Sequence, residues 1–502
     1  MRRSVTVLVS LLVAASLVAI RPSAVATAGV VAVQPDFNGD GYADLAVGAQ
    51  YENNGRGVVH VLYGSPTGPQ GAGSIVFGQD TAGVPGVAGP GEFFGALLAF
   101  GDVNGDGYDD LAVSAPNDKV GTQLRAGSVT LFRGSATGLL LNGQMFTDDF
   151  GNAGDDRAIR DDSFGLGLAM GDYDGDGDDD IAVGVPFDDG AIRFDPSGVG
   201  KVKILRPDGG TFSEANVQRL RRSTIPILIR GANIAIGYGF TVATLRGTAA
   251  ADGLAVGVPG YGVLPRQPGA VVVYLGRSSS PAFRHLIRGG FGSDGFAGLS
   301  LAAGDINNDG EGDILIGAPD NDQGRGGVEV ALLGPNRDLV RTPWLFTQEN
   351  SGFTTLNNAG DRFGTAMVVV DAGADSYIYV GARGKDLAHR LNSGGVFVLV
   401  AHGAARPVAA RTTPIQAPNP AANGGFGFQI TALDATQDGG ADVVISNDDT
   451  VNGHLFAGSV YWYDSPDGTP RYSGSVRINQ DTPGVPDRAE ELDGFGSTLA
   501  FL

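Results

Sequence analysis

The chain has 502 residues and a formal net charge of -21, which argues against nucleic-acid binding and against anionic membrane surfaces and suits cation binding. It contains no cysteine, which excludes disulfides, a thiol enzyme and a lipidated cysteine, so a secreted protein of this size needs another source of rigidity. Its 81 glycines and 26 prolines follow no collagen or linker period, and a hydrophobic fraction of 42% is sufficient for a large core.

Residues 1–28 have the pattern of a secretory signal peptide. Arg2 and Arg3 supply positive charge at the start, residues 5–20 form an apolar run, and residues 26–28 (Ala-Thr-Ala) match a cleavage site. A membrane anchor is the alternative, but this run of 16 residues is shorter than the roughly 18–20 that a spanning helix needs. We therefore expect a secreted protein whose mature chain has a charge of -24 and no membrane span.

A short apolar segment recurs seven times along the rest of the chain. It reads LAVGAQ at 45–50, LAVSAP at 111–116, IAVGVP at 181–186, LAVGVP at 254–259, ILIGAP at 314–319, IYVGAR at 378–383 and VVISND at 443–448. Each copy is followed by a glycine-led alternating segment, such as GRGVVHVLYG at 55–64, and then by a more variable one, such as SIVFG at 74–78. This alternation, broken by glycine and proline, predicts β-strands, and we find no amphipathic helix of convincing length.

Each unit of about 65 residues thus holds four short antiparallel strands, which we name a, b, c and d. Four-stranded units repeated around an axis form a β-propeller, and seven units lie within the usual range of blade numbers. A linear solenoid is the alternative, but its repeats typically have about 20–45 residues. The prediction is an all-β, seven-bladed propeller domain over residues 29–502. Its blade cores lie near residues 36–78, 94–146, 164–215, 238–288, 296–346, 363–415 and 426–480.

The two ends of the chain are expected to meet in one blade. The first unit has no a strand of its own, whereas the last unit is followed by FGSTLAFL at 495–502, which resembles FGALLAF at 94–100. The segment QDTPGVP at 480–486 also matches QDTAGVP at 79–85, so the register agrees. We predict that the C-terminal strand pairs beside the N-terminal strands and removes the open edges that a linear array would leave.

Four loops between strands a and b match the pattern D-x-[DN]-x-D-G-x-x-D. Positions 1, 3, 5 and 9 supply side-chain oxygens, position 7 adds a backbone carbonyl, and the glycine at position 6 permits the sharp turn. Oxygen ligands without histidine or cysteine favour Ca²⁺ over zinc, and Mg²⁺ would prefer more water. The predicted ligands are Asp36, Asn38, Asp40, Tyr42 and Asp44; Asp102, Asn104, Asp106, Tyr108 and Asp110; Asp172, Asp174, Asp176, Asp178 and Asp180; and Asp305, Asn307, Asp309, Glu311 and Asp313.

A fifth loop fits less well, because threonine is a poorer ligand at position 3; its residues are Asp434, Thr436, Asp438, Gly440 and Asp442. An isolated acidic turn is usually a solvated loop, but the recurrence of one spacing at the same point of four units argues against that interpretation here. An EF-hand is excluded because position 12 carries no glutamate and strands flank the loops. The units at 238–259 and 363–383 have lost the pattern, and we expect them to be free of metal.

The phenylalanine-glycine pair that opens a strand, the acidic loop and the closing Gly-Ala-Pro resemble FG-GAP repeats, which build the propeller of integrin α subunits. The matching pairs are Phe94-Gly95, Phe164-Gly165, Phe363-Gly364, Phe426-Gly427 and Phe495-Gly496, with Gly317-Ala318-Pro319 as the fullest closing motif, while Phe296-Ala297 and Tyr238-Gly239 each differ in one residue. The resemblance covers about residues 33–502. It implies structural calcium in the acidic loops and a partner on the opposite face. The missing cysteines, leg domains and transmembrane helix make a free, secreted bacterial-type protein the closer likeness.

The long loops between strands b and c, and from strand d to the next strand a, are expected on the face opposite the acidic loops. They span residues 79–93, 116–126, 147–163, 187–199, 259–269, 347–362, 383–394, 447–457 and 481–494. Because long loops on a rigid scaffold commonly carry binding, we favour a monomeric, non-catalytic adhesion or recognition module for an extracellular protein or glycan. A polysaccharide-acting enzyme and a purely structural scaffold are the alternatives, and tolerated surface variation would explain the loops without function.

No hydrolase elbow, zinc-protease motif or phosphate loop occurs in the sequence. Of the histidines, only His389 and His454 fall in the b–c loops. The acidic pairs at 148–149, 155–156 and 161–162 are expected to form a solvated patch rather than a glycosidase site. The basic residues Arg219, Arg221, Arg222 and Arg230 are expected at a solvated blade edge, and a local contact with an anion or polysaccharide is the alternative.

Overall fold

A computed structural model describes residues 34–151, 157–188, 200–221, 225, 234–262, 267–292, 295–387, 389–466 and 469–500. The signal peptide expected at 1–28 lies outside these residues, as do Asp155, Asp156, Arg222, Arg230 and most of the loop at 187–199. Within the described ranges, no helix has the length and apolar character required to cross a membrane.

Seven four-stranded antiparallel sheets form the blades in the described part of the chain. The first blade contains β1 (Leu45–Ala49), β2 (Val58–Leu62) and β3 (Ile75–Phe77), and the second contains β4 (Leu98–Gly101), β5 (Asp110–Ala115), β6 (Ser128–Arg133) and β7 (Leu140–Thr147). The third contains β8 (Gly167–Gly171), β9 (Asp180–Val185), β10 (Lys201–Asp208) and β11 (Thr211–Arg221). Next come β12 (Ile234–Ile236), β13 (Val242–Leu245), β14 (Gly253–Val258), β15 (Gly260–Gly262), β16 (Ala270–Leu275) and β17 (Ala282–Arg288). Of these, β12 pairs with β15 outside the blade, and the other four form blade four.

The remaining strands complete the ring. The fifth blade contains β18 (Ser300–Gly304), β19 (Asp313–Gly317), β20 (Val328–Ala331) and β21 (Trp344–Phe346), and the sixth contains β22 (Phe363–Asp371), β23 (Ser376–Ala382), β24 (Val396–Ala401) and β25 (Val408–Ala409). The seventh contains β26 (Ile430–Leu433), β27 (Asp442–Asn447), β28 (Ser459–Tyr463) and β29 (Val476–Ile478), and β30 (Thr498–Leu499) follows it. The helices α1 (Glu52–Gly55) and α2 (Asn321–Gly324) are single turns with left-handed residues inside them. The all-β seven-bladed architecture expected from the sequence is therefore confirmed.

Phenylalanine rings fill the space between neighbouring blades. Phe94 lies edge-on to Phe77 of the first blade and Phe132 of the second, with ring centroids 6.2 and 6.4 Å away. All three rings are at most 1% exposed. Burying a phenylalanine contributes about 1.5–3 kcal/mol, and edge-to-face packing adds roughly 0.5–1.5 kcal/mol per pair. The phenylalanine of the opening pair is thus the wedge that joins one blade to the next.

The glycine of the opening pair fixes the register of strand a. Gly95 has a φ of 83°, and a Cβ there would lie 2.9 Å from the carbonyl oxygen of Val58. In the fifth blade this left-handed position is held by Gly298, whose N–H donates to Gly317 (3.1 Å) as Gly95 donates to Ser114 (2.9 Å). The expected pair Phe296-Ala297 is therefore wrong by one residue, and Ala297 occupies the place of the phenylalanine.

The ring closes in the first blade, as predicted. Strand β30 pairs antiparallel with β1, with Leu499 opposite Val47 and Thr498 opposite Gly48. The N–H of Gly496 also donates to the carbonyl oxygen of Gly48 at 3.0 Å. Strands from the two ends of the described chain therefore share one sheet.

The loops segregate onto two faces. On the acidic face, which we define by the a–b and c–d loops, Asp109 N–H donates to Asp36 (3.1 Å) and Ser135 N–H donates to Phe37 (3.1 Å) across blades one and two. On the far face, defined by the b–c and d–a loops, Gly91 N–H donates to Asn54 at 3.1 Å. The described d–a loops therefore rest on neighbouring b–c loops.

Deleting residues 495–502 should destabilise the whole ring rather than one blade, because it exposes both edges of the seam and removes the buried Phe495. Thermal unfolding of the full chain and the deletion checks this. If the deletion does not fold, Phe495→Ala should lower stability by about 3–5 kcal/mol. An unchanged unfolding temperature in both variants would contradict closure by this strand.

His60 on β2 is a buried titratable side chain within the seam. It is 0% exposed, its ring lies 5.1 Å from that of Phe495, and neither ring nitrogen has a hydrogen-bond partner. Burial lowers the pKa of His60 to about 3. The imidazole is therefore neutral in the folded protein at every pH above that value.

Acid should weaken the seam through His60. The unfolded chain binds this proton near pH 6.5 but the folded chain only near pH 3, so stability is lost as the pH falls between those values. The loss should reach about 2.5 kcal/mol at pH 4.5. Denaturant unfolding at pH 7 and pH 4.5 should show this loss in the wild type and not in His60→Leu. Replacing the exposed His454 with Gln is the control, and an equal acid loss in His60→Leu would refute the assignment.

Candidate metal loops and far-face loops

The four acidic loops fold back around their first aspartate. In the first loop, Asp36 accepts hydrogen bonds from the N–H groups of Gly39 (2.7 Å) and Gly41 (2.9 Å), and Asp40 accepts one from Tyr42 (3.0 Å). The amide oxygen of Asn38 accepts from the N–H of Asp40 at 2.9 Å. This arrangement gathers the oxygens of positions 1, 3 and 5 on the inside of one turn.

The same turn recurs at every loop that carries the pattern. The bond from the position-6 glycine N–H to the position-1 carboxylate measures 2.8 Å at Gly107, 3.0 Å at Gly177, 2.7 Å at Gly310 and 2.9 Å at Gly439. The fifth loop therefore shares the backbone turn. It differs at position 3, where the buried hydroxyl of Thr436 has no hydrogen-bond partner.

The third loop is the most acidic of the set. Carboxylate oxygens of Asp172, Asp174 and Asp176 lie within 4.8 Å of one another, and this group could hold a metal ion. Arg206 forms an ion pair with Asp174 from the side. Positions 1, 3 and 5 thus converge here as the sequence predicts.

The aspartate at position 9 ties the loop to the end of strand c. Asp44 accepts from the N–H of Phe37 (2.8 Å) within the loop and from the N–H of Gly64 (2.9 Å) after β2. The second bond recurs from Gly134 to Asp110 (2.9 Å), from Leu333 to Asp313 (2.7 Å) and from Ser465 to Asp442 (2.7 Å). This carboxylate is therefore also a structural joint, independent of any ion.

The third blade breaks this joint. In the other blades the donor lies two residues beyond the residue that pairs with the start of strand b. In the third blade that position is Pro207, and proline has no N–H to donate. Asp180 keeps the bond from Tyr173 N–H (3.1 Å), but its other oxygen is buried without a partner. Burial, then the neighbouring Asp176 and Asp172, raise the pKa of Asp180 to about 9. An unsatisfied acceptor remains beside the loop.

Two arginines lie at the turn of the fourth blade, which lacks the pattern: Arg246 belongs to that turn, and Arg337 reaches it from the c–d loop of the fifth blade. Arg337 is 0% exposed, lies 3.0 Å from Glu311 and donates to the carbonyl oxygen of Leu245 at 2.7 Å. Arg246 lies 3.7 Å from Asp179 and 3.8 Å from Asp252. In this blade, cationic side chains therefore contact the turn that lacks the acidic pattern.

Three far-face loops share a small hairpin that sequence inspection missed. A single β-bridge joins Val120 to Gln123, Leu387 to Arg390 and Val451 to His454. The next residue in each loop is an exposed leucine, and these tip leucines, Leu124, Leu391 and Leu455, are 46%, 68% and 52% exposed. The sequence does contain a signal for this hairpin, because in each of the three loops a leucine stands three residues before the glycine that opens strand c. His389 and His454 lie in these tips as predicted.

The acidic pairs expected on the surface are partly buried, so that expectation is wrong for two of them. Asp148 and Asp162 are 0% exposed, and Lys201 Nζ lies 2.9 Å from Asp148 Oδ2. Arg219 and Arg221 lie on the outer strand β11, where both are half-buried. The local sequence indicates the charges of these aspartates, but it does not indicate that Lys201 on β10 pairs with Asp148.

A seven-bladed propeller whose a–b loops carry acidic turns is the class that this geometry defines. The FG-GAP repeat model matches residues 28–62, 94–132, 164–205 and 297–330. The last match begins at Ala297, in agreement with the register fixed by Gly298. These matches identify four FG-GAP repeats in the chain, and with the seven blades they support an integrin-like FG-GAP propeller.

The chain also resembles curated proteins over parts of its length. It is 34% identical over 165 residues to phosphatidylinositol-glycan-specific phospholipase D of Rattus norvegicus, which covers 32% of this chain and 18% of that protein. It is 46% identical over 81 residues to integrin alpha-PS2 of Drosophila melanogaster, covering 16% and 6%, and 34% identical over 123 residues to integrin alpha-3 of Mus musculus, covering 24% and 10%. The matched segments span less than a fifth of these relatives' own length.

Proposed function

We propose that this chain is a secreted, non-catalytic, calcium-stabilised propeller that binds an extracellular protein or glycan through its far face. The observation that carries the binding role is the set of tip leucines on three equivalent loops. Exposed leucines are ordinary when scattered singly. Three at one structural position form a repeated feature, and burying each against a partner would contribute about 1.5–3 kcal/mol.

The distribution of other exposed apolar side chains supports the same face. Of the fourteen large hydrophobic residues that are exposed in the described part of the chain, eight lie on b–c or d–a loops. They are Tyr51, Val87, Leu124, Leu356, Leu391, Leu455, Phe456 and Leu492. Leu492 N–H donates to Leu455 at 2.9 Å, so the two side chains belong to adjoining loops.

Three features support calcium in the acidic loops. The donors are all oxygens, as Ca²⁺ prefers. The unsatisfied oxygen of Asp180 lacks the backbone donor found in other blades. In the fourth blade, which lacks the pattern, Arg246 lies beside Asp179 and Asp252, so a positive charge stands at that turn. The resemblance to integrin propellers supports the same ion.

An enzyme is the alternative, and the partial similarity to a phospholipase D favours it. Two trios of carboxylates occur on the far face among the described residues: Glu52, Glu490 and Asp493, and Asp148, Asp162 and Asp188. All but Glu490 are buried. A glycosidase needs two carboxyl groups on either side of a bound sugar, which buried groups do not offer. We therefore favour binding, and turnover of polysaccharide by the purified chain would reverse that choice.

Chelation of calcium should lower the unfolding temperature. A site at 100 times its Kd contributes about 2.7 kcal/mol, and several sites act together. Calorimetry of the full chain in millimolar Ca²⁺ and in EGTA measures the effect, and equilibrium dialysis counts the ions. Asp176→Asn should remove one bound ion, because it neutralises an exposed ligand while keeping its bond from Asp178 N–H.

Asp371→Asn is the matched control for this count. Asp371 lies in the sixth blade, which lacks the pattern, and accepts from Gly373 N–H at 2.8 Å. The number of bound ions should not change in this variant. Equal unfolding temperatures with Ca²⁺ and with EGTA would refute stabilisation by calcium.

Replacing the three tip leucines with serine should abolish partner binding without loss of stability. Exposed substitutions usually change stability by less than about 0.5 kcal/mol. Wild type and the triple variant are compared on immobilised glycans and on cell-surface protein extracts. The control combines Val340→Ser and Val408→Ser, which are 56% and 50% exposed but lie off the far face. Binding that survives in the triple variant would contradict the far-face assignment, and no binding by the wild type would favour a scaffold.

A further inference from the structure

The acidic face carries a repeated contact between neighbouring blades that lies outside the calcium ligand pattern. In blades two, three and four, the residue immediately before strand b is an aspartate, namely Asp109 before β5, Asp179 before β9 and Asp252 before β14. We name these residues the bridging aspartates. Each is hydrogen-bonded to the aspartate at position 1 of the acidic loop in the preceding blade.

Two hydrogen bonds form each bridge. Asp109 N–H donates to the carbonyl oxygen of Asp36 at 3.1 Å, and Asp109 Oδ2 accepts from the N–H of Asp36 at 2.9 Å. The same pair of bonds joins Asp179 to Asp102, at 2.9 and 3.2 Å. The next blade therefore holds both backbone polar groups of the position-1 aspartate, whose carboxylate accepts hydrogen bonds within its own loop.

Asp252 forms the same bridge although its own turn has lost the calcium pattern. Its N–H donates to the carbonyl oxygen of Asp172 at 2.6 Å, and its Oδ2 accepts from the N–H of Asp172 at 3.3 Å. The turn at 246–253 reads RGTAAADG, so Asp252 is its one acidic residue. The aspartate that blade four retains thus contacts the acidic loop of blade three.

Other residue types make corresponding contacts at the remaining acidic loops. At the seam of the ring, Gln34 Oε1 accepts from the N–H of Asp434 at 2.7 Å, and Ala43 N–H donates to the carbonyl oxygen of Asp434 at 3.3 Å. In blade six, Ser376 Oγ donates to the carbonyl oxygen of Asp305 at 3.0 Å. Position 1 of each acidic loop is therefore tied to the next blade, with or without a carboxylate.

Adjacent residues of one blade serve two different loops. Asp110, at position 9 of the loop in blade two, accepts from the N–H of Gly134 within that blade at 2.9 Å. Asp109, the residue before it, reaches Asp36 of blade one at 2.9 Å. Successive side chains of an extended strand point to opposite sides, which allows this division. Position 8 thus contacts one loop and position 9 contacts the next.

An arginine matches the charge of two bridging aspartates. Arg246 lies 3.7 Å from Asp179 and 3.8 Å from Asp252. Both aspartates are shielded, with side chains that are 13% and 12% exposed. Because a cationic side chain of the protein serves these carboxylates, they need no metal ion of their own. Their effect on the acidic loops is therefore exerted through the hydrogen bonds to position 1.

We propose that the bridging aspartates are positioning residues for calcium, each fixing the position-1 ligand of the loop in the preceding blade. Asp252 of blade four then completes the site of blade three. This inference rests on the calcium occupancy proposed above and adds to it residues outside the ligand pattern. Groups that orient a metal ligand without touching the metal typically change its affinity by about 10–100-fold.

Asp252 gives the cleanest test, because its own turn lacks the ligands. Equilibrium dialysis of the full chain over a range of Ca²⁺ concentrations should show one site weakened about 10–100-fold in Asp252→Ala. Asp252→Asn keeps an oxygen acceptor and should recover most of this loss. Equal weakening in both variants would show an effect of charge and would overturn the positioning role.

Asp375→Ala is the matched control. Asp375 also stands immediately before strand b in a blade that lacks the pattern, but its carboxylate contacts His402 at 2.6 Å. Calcium binding should not change in this variant. A loss equal to that of Asp252→Ala would mean that any aspartate at this place affects calcium binding, and it would refute the bridge.

The affected loop is identified in the background of Asp176→Asn, which empties the loop of blade three. Adding Asp252→Ala should then cause no further loss of calcium, whereas adding Asp179→Ala should weaken a second site, that of blade two. The Asp179 arm tests the same rule if Asp252→Ala does not fold. Loss of an ion in Asp176→Asn without any effect of the Asp252 and Asp179 substitutions would overturn the bridging role alone. Retention of every ion in Asp176→Asn, or no calcium bound by the wild type, would overturn the calcium assignment and this inference with it.

Discussion

Buried carboxylates that must be matched by donors or cations organise both faces of this propeller. At position 9 of the acidic loops, backbone N–H groups provide the match, as at Asp44. Between the fourth and fifth blades, Arg337 meets Glu311, and on the far face Lys201 and Lys385 meet aspartates. Leaving such a group unmatched costs several kcal/mol, so each site has a distinct solution. At Asp180 of the acidic loops, one carboxylate oxygen lacks such a donor, and there we propose an ion.

Different residues therefore stabilise the scaffold and provide the surface for recognition. Phenylalanine wedges join neighbouring blades, and the aspartate joints tie strands within one blade on the acidic face. On the far face, the loop tips are exposed, whereas buried ion pairs such as that of Lys385 with Asp361 anchor the bases of the loops. A rigid base with exposed tips is an arrangement in which binding residues can change without loss of the scaffold. The tip leucines belong to the exposed layer, and Lys385 and Asp361 belong to the anchoring layer.

The sequence was sufficient for the architecture, because repeats at a near-constant period define blades and a displaced a strand defines closure. It failed where burial depends on distant residues. Asp148 and Asp162 were expected in solvent, because no residue near them in the sequence indicates that Lys201 on β10 lies on the same side of the fold. Phe296 was aligned by residue type, whereas the left-handed φ of Gly298 decides the register. The loss of a backbone donor for Asp180 at Pro207 also follows from the pairing of β9 with β10, which the sequence does not show directly. Contacts on the far face also join residues from separate loops, and Gln480 and Glu52, which are hydrogen-bonded, are 428 residues apart.

The closing strand has a kinetic consequence. Ser497 donates to Gly48 across 449 residues, so β1 has no neighbour on that edge until almost the whole chain has been synthesised. Contacts of such long range form slowly, and an exposed strand edge invites pairing with other chains in the meantime. The first blade must therefore be the last to become complete, although its strands emerge first. A chaperone that shields the edge of β1 during synthesis or export would raise the yield of folded protein more than one that acts on any other blade.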